Sequence, residues 1–119
     1  MTDTDRMVVW LRETLDAAQR DAEAAARAFP EWDYDEFVKE IRDVPNAGTV
    51  AFIAVTEYGP HIARHDPAAV LRRIAKDRER LEDCENILAG WHYEETKELA
   101  ANTIRNIAEC WGWTEEEPR

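Results

Sequence analysis

The sequence predicts an α+β fold: a predominantly helical single domain of three to four helices carrying one β-hairpin. Three observations lead there. Apolar residues recur at three- and four-residue steps from Val8 to Phe29 and again from Val70 to Trp111. Between these stretches, Thr49-Val-Ala-Phe-Ile-Ala-Val-Thr56 is β-branched and apolar and is bounded by Gly48 and Gly59, the composition of a buried strand. The chain has 119 residues, a length one domain accommodates. An all-α arrangement is the alternative, because periodicity alone does not separate a short apolar run from a helical segment.

Taken in order, the first helix has Thr4 as N-cap and Asp5 favourably placed in its first turn. Its stripe runs Val8, Leu11, Leu15, Ala18, Ala22, Ala25 and Phe29, and Pro30 stops it. The alanines in the second half allow close approach by a neighbouring element, either the core or a second copy. Asp33-Tyr-Asp-Glu36 resembles a capping box, with Phe37, Ile41 and Val44 fitting a short helix. Against that stand the turn chemistry of Pro45-Asn-Ala-Gly48 and the β-branched run that follows, so a hairpin at about residues 36–57 is favoured.

Asp66 directly precedes Pro67, pairing a strong N-cap with the residue best tolerated at the first helical position. The helix that follows buries Val70, Leu71, Ile74, Leu81, Cys84, Ile87 and Leu88, and Gly90 ends it. A last helix runs from about Tyr93 to Cys110 with Leu99, Ala100, Ile104, Ile107 and Trp111 inward and Gly112 as its stop. Residues 1–113 therefore read as one domain and residues 114–119 as a flexible acidic tail.

Fifteen Lys and Arg against 26 Asp and Glu give a net charge of −11. Such a balance argues against direct nucleic-acid binding and against anionic membranes, because both need clustered positive charge. The absence of a membrane-length apolar run and of a basic leader points to a soluble, cytoplasmic protein. Cys84 and Cys110 are too few for a disulfide scaffold and fit a reducing compartment. Catalytic patterns are missing as well. The chain contains no serine, no Gly-rich phosphate loop and no Walker sequence. Glu94-Glu95 with Glu98 makes half of the paired acidic motif of helical pyrophosphatases, and its partner ExxD is missing. Both cysteines fall on apolar helix faces, where thiols are packing. No catalytic residue and no cofactor is predicted.

The densest polar cluster is His61-Ile-Ala-Arg-His-Asp-Pro67. His61 and His65 stand at a spacing used by helical zinc sites, yet two histidines make half a site and Ile62 stands where HExxH needs glutamate. Further ligands from Asp66, Cys84, His92 or Cys110 lack paired spacing, so no metal is predicted. Asp66 and Pro67 read instead as a structural cap. An alternative gathers His61, Arg64, His65, Arg72 and Lys76 around a small anionic ligand or nucleotide. Acids at Asp77, Glu79, Glu82 and Asp83 stand within pairing distance of the basic run Arg72–Arg80. Each such pair contributes only about 0.2–0.5 kcal/mol, but together they neutralise the stripe.

With the leading helix, Trp32 and the strand-like middle, the His61–Leu71 segment resembles an uncharacterised family of small actinobacterial and actinophage proteins, domain of unknown function 6221. The resemblance covers roughly residues 5–82, with the last third outside it. It implies a cytoplasmic protein of a phage or high-GC bacterium and supplies no activity.

Five tryptophans are several times ordinary usage. Trp10 and Trp32 are placed to staple the first helix to the hairpin. Trp91, Trp111 and Trp113 gather near the last helix, more than a small core buries, and tryptophan is enriched at interface hot spots. The sequence thus points to a non-catalytic acidic protein that binds a protein partner, or itself as a dimer, through its tryptophan-bearing end.

Overall fold

The computed structural model of the chain describes residues 1–45 and 48–115. Among them are four helices, α1 (Asp3–Ala26), α2 (Tyr58–Arg64), α3 (Pro67–Ala89) and α4 (Glu94–Cys110), and three strands, β1 (Trp32–Asp35), β2 (Glu40–Asp43) and β3 (Thr49–Phe52). The strands form one antiparallel sheet in the order β1-β2-β3. The fold is α+β and predominantly helical, as predicted, and the sheet is one strand wider than the expected hairpin. Asn46 and Ala47 of the expected turn, and residues 116–119 of the expected tail, lie outside the described residues. No described helix is long and apolar enough to cross a membrane.

Two compact units divide the chain, one from Met1–Ala17 with Ala75–Arg119 and one from Ala18–Ile74. In the first unit, α1 begins on a reciprocal cap. The Asp5 N–H donates to Thr2 Oγ1 at 3.0 Å, and the Thr2 N–H donates to Asp5 Oδ2 at 3.0 Å. The cap is therefore Thr2 rather than Thr4, and it uses the capping-box geometry with aspartate in place of glutamate. Hydrogen bonds from Thr2, the backbone one foremost, hold the Asp5 carboxyl below the usual carboxylate range. The unit buries Met7, Leu11 and Leu15 of α1, Leu81 and Cys84 of α3, and Ala100, Ile104, Ile107 and Ala108 of α4. Leu99, expected inward, is 67% exposed. Its neighbour Ala100 takes the inward position, since successive helical residues point about 100° apart. Asp16 meets Arg78 at 2.6 Å, tying α1 to α3.

The end of α4 is fixed by glycine. Gly112 has φ 107°, a conformation that side-chain-bearing residues rarely adopt. The Gly112 N–H donates to Glu109 O at 3.1 Å and the Trp113 N–H to Ala108 O at 2.9 Å, the paired bonds of a Schellman motif. The end of α4 and the turn after it each bring a tryptophan back into the unit. Trp111 Nε1 donates to Asp77 Oδ2 at 2.7 Å, and Arg80 donates to Asp77 Oδ1 at 2.5 Å, so a carboxylate only 4% exposed has a donor on each oxygen. Of the acids within pairing distance on its own helix, Arg80 reaches Asp77. Trp113 lies edge-on to Trp10, with ring centres 5.4 Å apart and planes at 72°. Trp10, expected to staple α1 to the hairpin, has Trp113 in the chain beyond α4 as its ring partner.

In the second unit, β2 turns Ile41 and Asp43 inward. Tyr34 and Ala51 stand opposite Ile41, and Trp32 stands opposite Asp43. The β2–β3 register shifts between Ile41 and Arg42, leaving Val50 without an opposite residue. The expected capping box at Asp33–Glu36 is strand and turn. Asp33 Oδ1 accepts the Tyr34 N–H at 2.9 Å and Asp35 Oδ1 accepts the Phe37 N–H at 3.0 Å, local bonds that compete with helix. At the end of the β1–β2 turn, Lys39 has φ 55°.

Trp111→Phe is expected to destabilise the protein by about 1.5–3 kcal/mol, because it removes one donor from a buried carboxylate. Urea unfolding checks this, with the exposed Trp91→Phe as an unaffected comparison. Thiol labelling gives a second test of the packing. Burial pushes the Cys84 thiol pKa up, whereas Cys110, expected on an apolar face, is exposed. Iodoacetamide should modify one thiol in the native chain and none in Cys110→Ser.

Candidate functional site

The site grows from the edge of β1. The Trp32 N–H points outward and donates to Asp66 Oδ2 at 3.0 Å, while Asp66 Oδ1 accepts the Ala69 N–H at 2.8 Å. The same carboxylate therefore caps α3 and occupies a donor on the outer edge of the sheet. The Ala68 N–H donates to Pro30 O at 3.0 Å, a second tie between the start of α3 and the approach to β1. Pro67 is buried in the first turn of α3. Trp32 Nε1 donates to Phe29 O at 2.7 Å, which fixes the indole against the segment leaving α1.

Next to this joint, α2 lies against β1 and β2. Contact is closest at Gly59, where a Cβ would fall 2.3 Å from Tyr34 Cε1. Only a residue without a side chain lets the helix lie on the ring. The Tyr34 hydroxyl is buried there without a hydrogen-bond partner among the described residues.

An open groove of about 890 Å³ runs along β1, the β1–β2 turn and α2. Trp32, Tyr34, Phe37, Val44 and Pro60 supply its apolar lining, and Asp33, Asp35, Glu36 and Asp43 its acids. Two cations border it. Arg42 is engaged by Glu40 at 3.0 Å and by Asp35 at 3.7 Å. Arg64 has no ion-pair partner among the described residues. Phe37 is 92% exposed at the turn, so an aromatic ring stands in solvent beside the groove.

Of the five residues considered for an anionic ligand, Arg64 alone borders this groove. His61 lies on α2 and His65 is its C-cap; both are exposed, with ring centres 4.8 Å apart, and neither lines the groove. Arg72 is exposed on α3, and exposed Lys76 pairs with Glu79 at 3.4 Å. The three tryptophans considered for an interface part company as well. Trp91 is 84% exposed, with its ring 5.7 Å from that of Tyr93. Trp111 and Trp113 are half-buried and committed to Asp77 and Trp10. The groove residues Trp32, Tyr34 and Phe37 were not singled out as a site from the sequence. Their signal is aromatic alternation at Trp32 and Tyr34 followed by a turn aromatic.

Tyr34→Phe should stabilise the protein by about 1 kcal/mol, since it deletes a buried hydroxyl that has no partner. Gly59→Ala should destabilise it by about 1–3 kcal/mol through overpacking against the ring. Chemical denaturation of both variants checks the pair.

No curated protein and no solved structure matches the chain. Residues 4–112 match the model of a family described as "Family of unknown function (DUF6221)". The match passes beyond residue 82 and takes in α4, so the last third follows the family as well, contrary to the sequence expectation. Because it spans the fold from the first turn of α1 to the Schellman glycine, the chain belongs to this family of unknown function.

Proposed function

We propose that the protein is a non-catalytic interaction protein whose groove beside β1 holds a short apolar and basic segment of a protein partner. One observation carries the reading: Phe37 is left in solvent at a groove walled by Trp32 and Tyr34. Burying such a side chain is worth roughly 1.5–3 kcal/mol, which the isolated chain forgoes and a partner can recover. Charge sets the partner's character. Four acids against two cations border the groove, one of the cations is already paired, and the whole chain carries −11. A basic segment is steered toward such a surface, whereas a second copy with the same charge is repelled. The setting that goes with this reading is the cytoplasm of an actinobacterium, with the protein encoded by the host or by its phage and both thiols reduced.

Panning the full chain against a displayed random-peptide library tests the proposal. Enriched peptides should combine Lys or Arg with apolar residues and bind Phe37→Asp at least tenfold more weakly, with the melting temperature of that variant unchanged. Peptides that bind wild type and Phe37→Asp equally would overturn it. So would a rise in melting temperature with nucleoside triphosphates, which favours the anionic-ligand reading through His61, Arg64, His65, Arg72 and Lys76.

A further inference from the structure

Away from the groove lining, α2 presents a feature that partner binding does not use. We propose that His61 and His65 chelate one borderline divalent transition-metal ion, of the class of Zn²⁺, Ni²⁺ or Cu²⁺, between their imidazoles. The spacing places both rings on one side of a single helical turn, and their centres are 4.8 Å apart. Taking about 2.0–2.1 Å for the metal–nitrogen bond and about 1.1 Å from nitrogen to ring centre, two imidazoles on one tetrahedral ion have centres about 5 Å apart. The separation already suits a shared ion.

Availability of the nitrogens is the second part of the argument. Neither imidazole has a hydrogen-bond partner among the described residues, so no bond within the protein must be broken to coordinate. Both rings are exposed, and an ion enters without a desolvated path. The backbone is held at the His65 end. The His65 N–H donates to Ile62 O at 3.0 Å, and Asp66, the next residue, is locked between α3 and β1. That carboxylate is committed to two backbone donors and is not offered to the ion.

The ligand set selects the metal. Imidazole nitrogen suits Zn²⁺, Ni²⁺ and Cu²⁺, whereas Mg²⁺ and Ca²⁺ require oxygen ligands. No group of three or more His, Cys, Asp or Glu able to hold an ion occurs among the described residues, so water completes the coordination. This is a two-ligand site on the surface, open to exchange, and the fold does not depend on it.

The experiment titrates metal-freed full-length chain with NiCl2 and with ZnCl2 by calorimetry, alongside His61→Ala, His65→Ala and His92→Ala. One ion per chain is expected in the wild type. Each of the first two variants should bind at least tenfold more weakly, His92→Ala should match wild type, and MgCl2 should give no heat. Cu²⁺ added to the wild type should show the electron paramagnetic resonance pattern of two coordinated imidazole nitrogens, and a single nitrogen in either variant. Undiminished binding by His61→Ala or His65→Ala would sink the proposal, as would a wild type that binds neither ion. Circular dichroism distinguishes lost ligation from lost fold. The peptide-binding test on Phe37→Asp reads a different set of residues, so either result stands without the other.

Discussion

The carboxylate of Asp66 is the constraint on which the sheet-bearing unit depends. A helix start leaves N–H groups without partners, and so does an outer strand edge. One side chain answers both, with an oxygen on the Ala69 N–H and the other on the Trp32 N–H. The following proline needs no donor at that position, and the preceding turn of α2 must then lie over Tyr34, which only Gly59 permits. A chain segment of a few residues thereby sets the strand edge, the helix axis and the groove between them.

The helical unit solves a different problem with the same economy of parts. Asp77 is buried where the apolar stripe of α3 would otherwise continue, and its charge is tolerable because Arg80 and Trp111 each supply a donor. Trp111 reaches it from the end of α4, just before the left-handed Gly112 that reverses the chain. Trp113, carried by the same turn, closes on Trp10. Trp111 thus ties the end of α4 to α3, and Trp113 ties the chain beyond α4 to α1.

These cases show what was legible in the sequence and what was not. The three long helices announce themselves by periodicity, and Asp66-Pro67 by local chemistry that needs no distant partner. Strand β1 was hidden because aspartates that look like a helix cap bond equally well to neighbouring N–H groups in extended chain. Helix α2 is seven residues long, too short for periodicity, and Gly59-Pro60 reads as an interruption. The contacts of Trp111 and Trp113 were not legible because they depend on Asp77 and Trp10, far away in the chain. Of the groove, Arg64 was legible as a candidate cation for an anionic ligand beside the histidines. Trp32, Tyr34 and Phe37 were not, since a binding surface exists only once the strand, turn and short helix are brought side by side.

The division of the chain also orders its synthesis. Residues 18–74 form a contiguous unit, whereas the helical unit joins the opening stretch of α1 to everything after Ala75. On the ribosome, which extends the chain by about 5–20 residues per second, the sheet can close while α4 is still unmade. Trp10 meanwhile lacks its ring partner until Trp113 emerges. The interval between those two aromatics is a window in which the nascent chain exposes the seam of its first helix, and an acidic surface is useful protection during that wait.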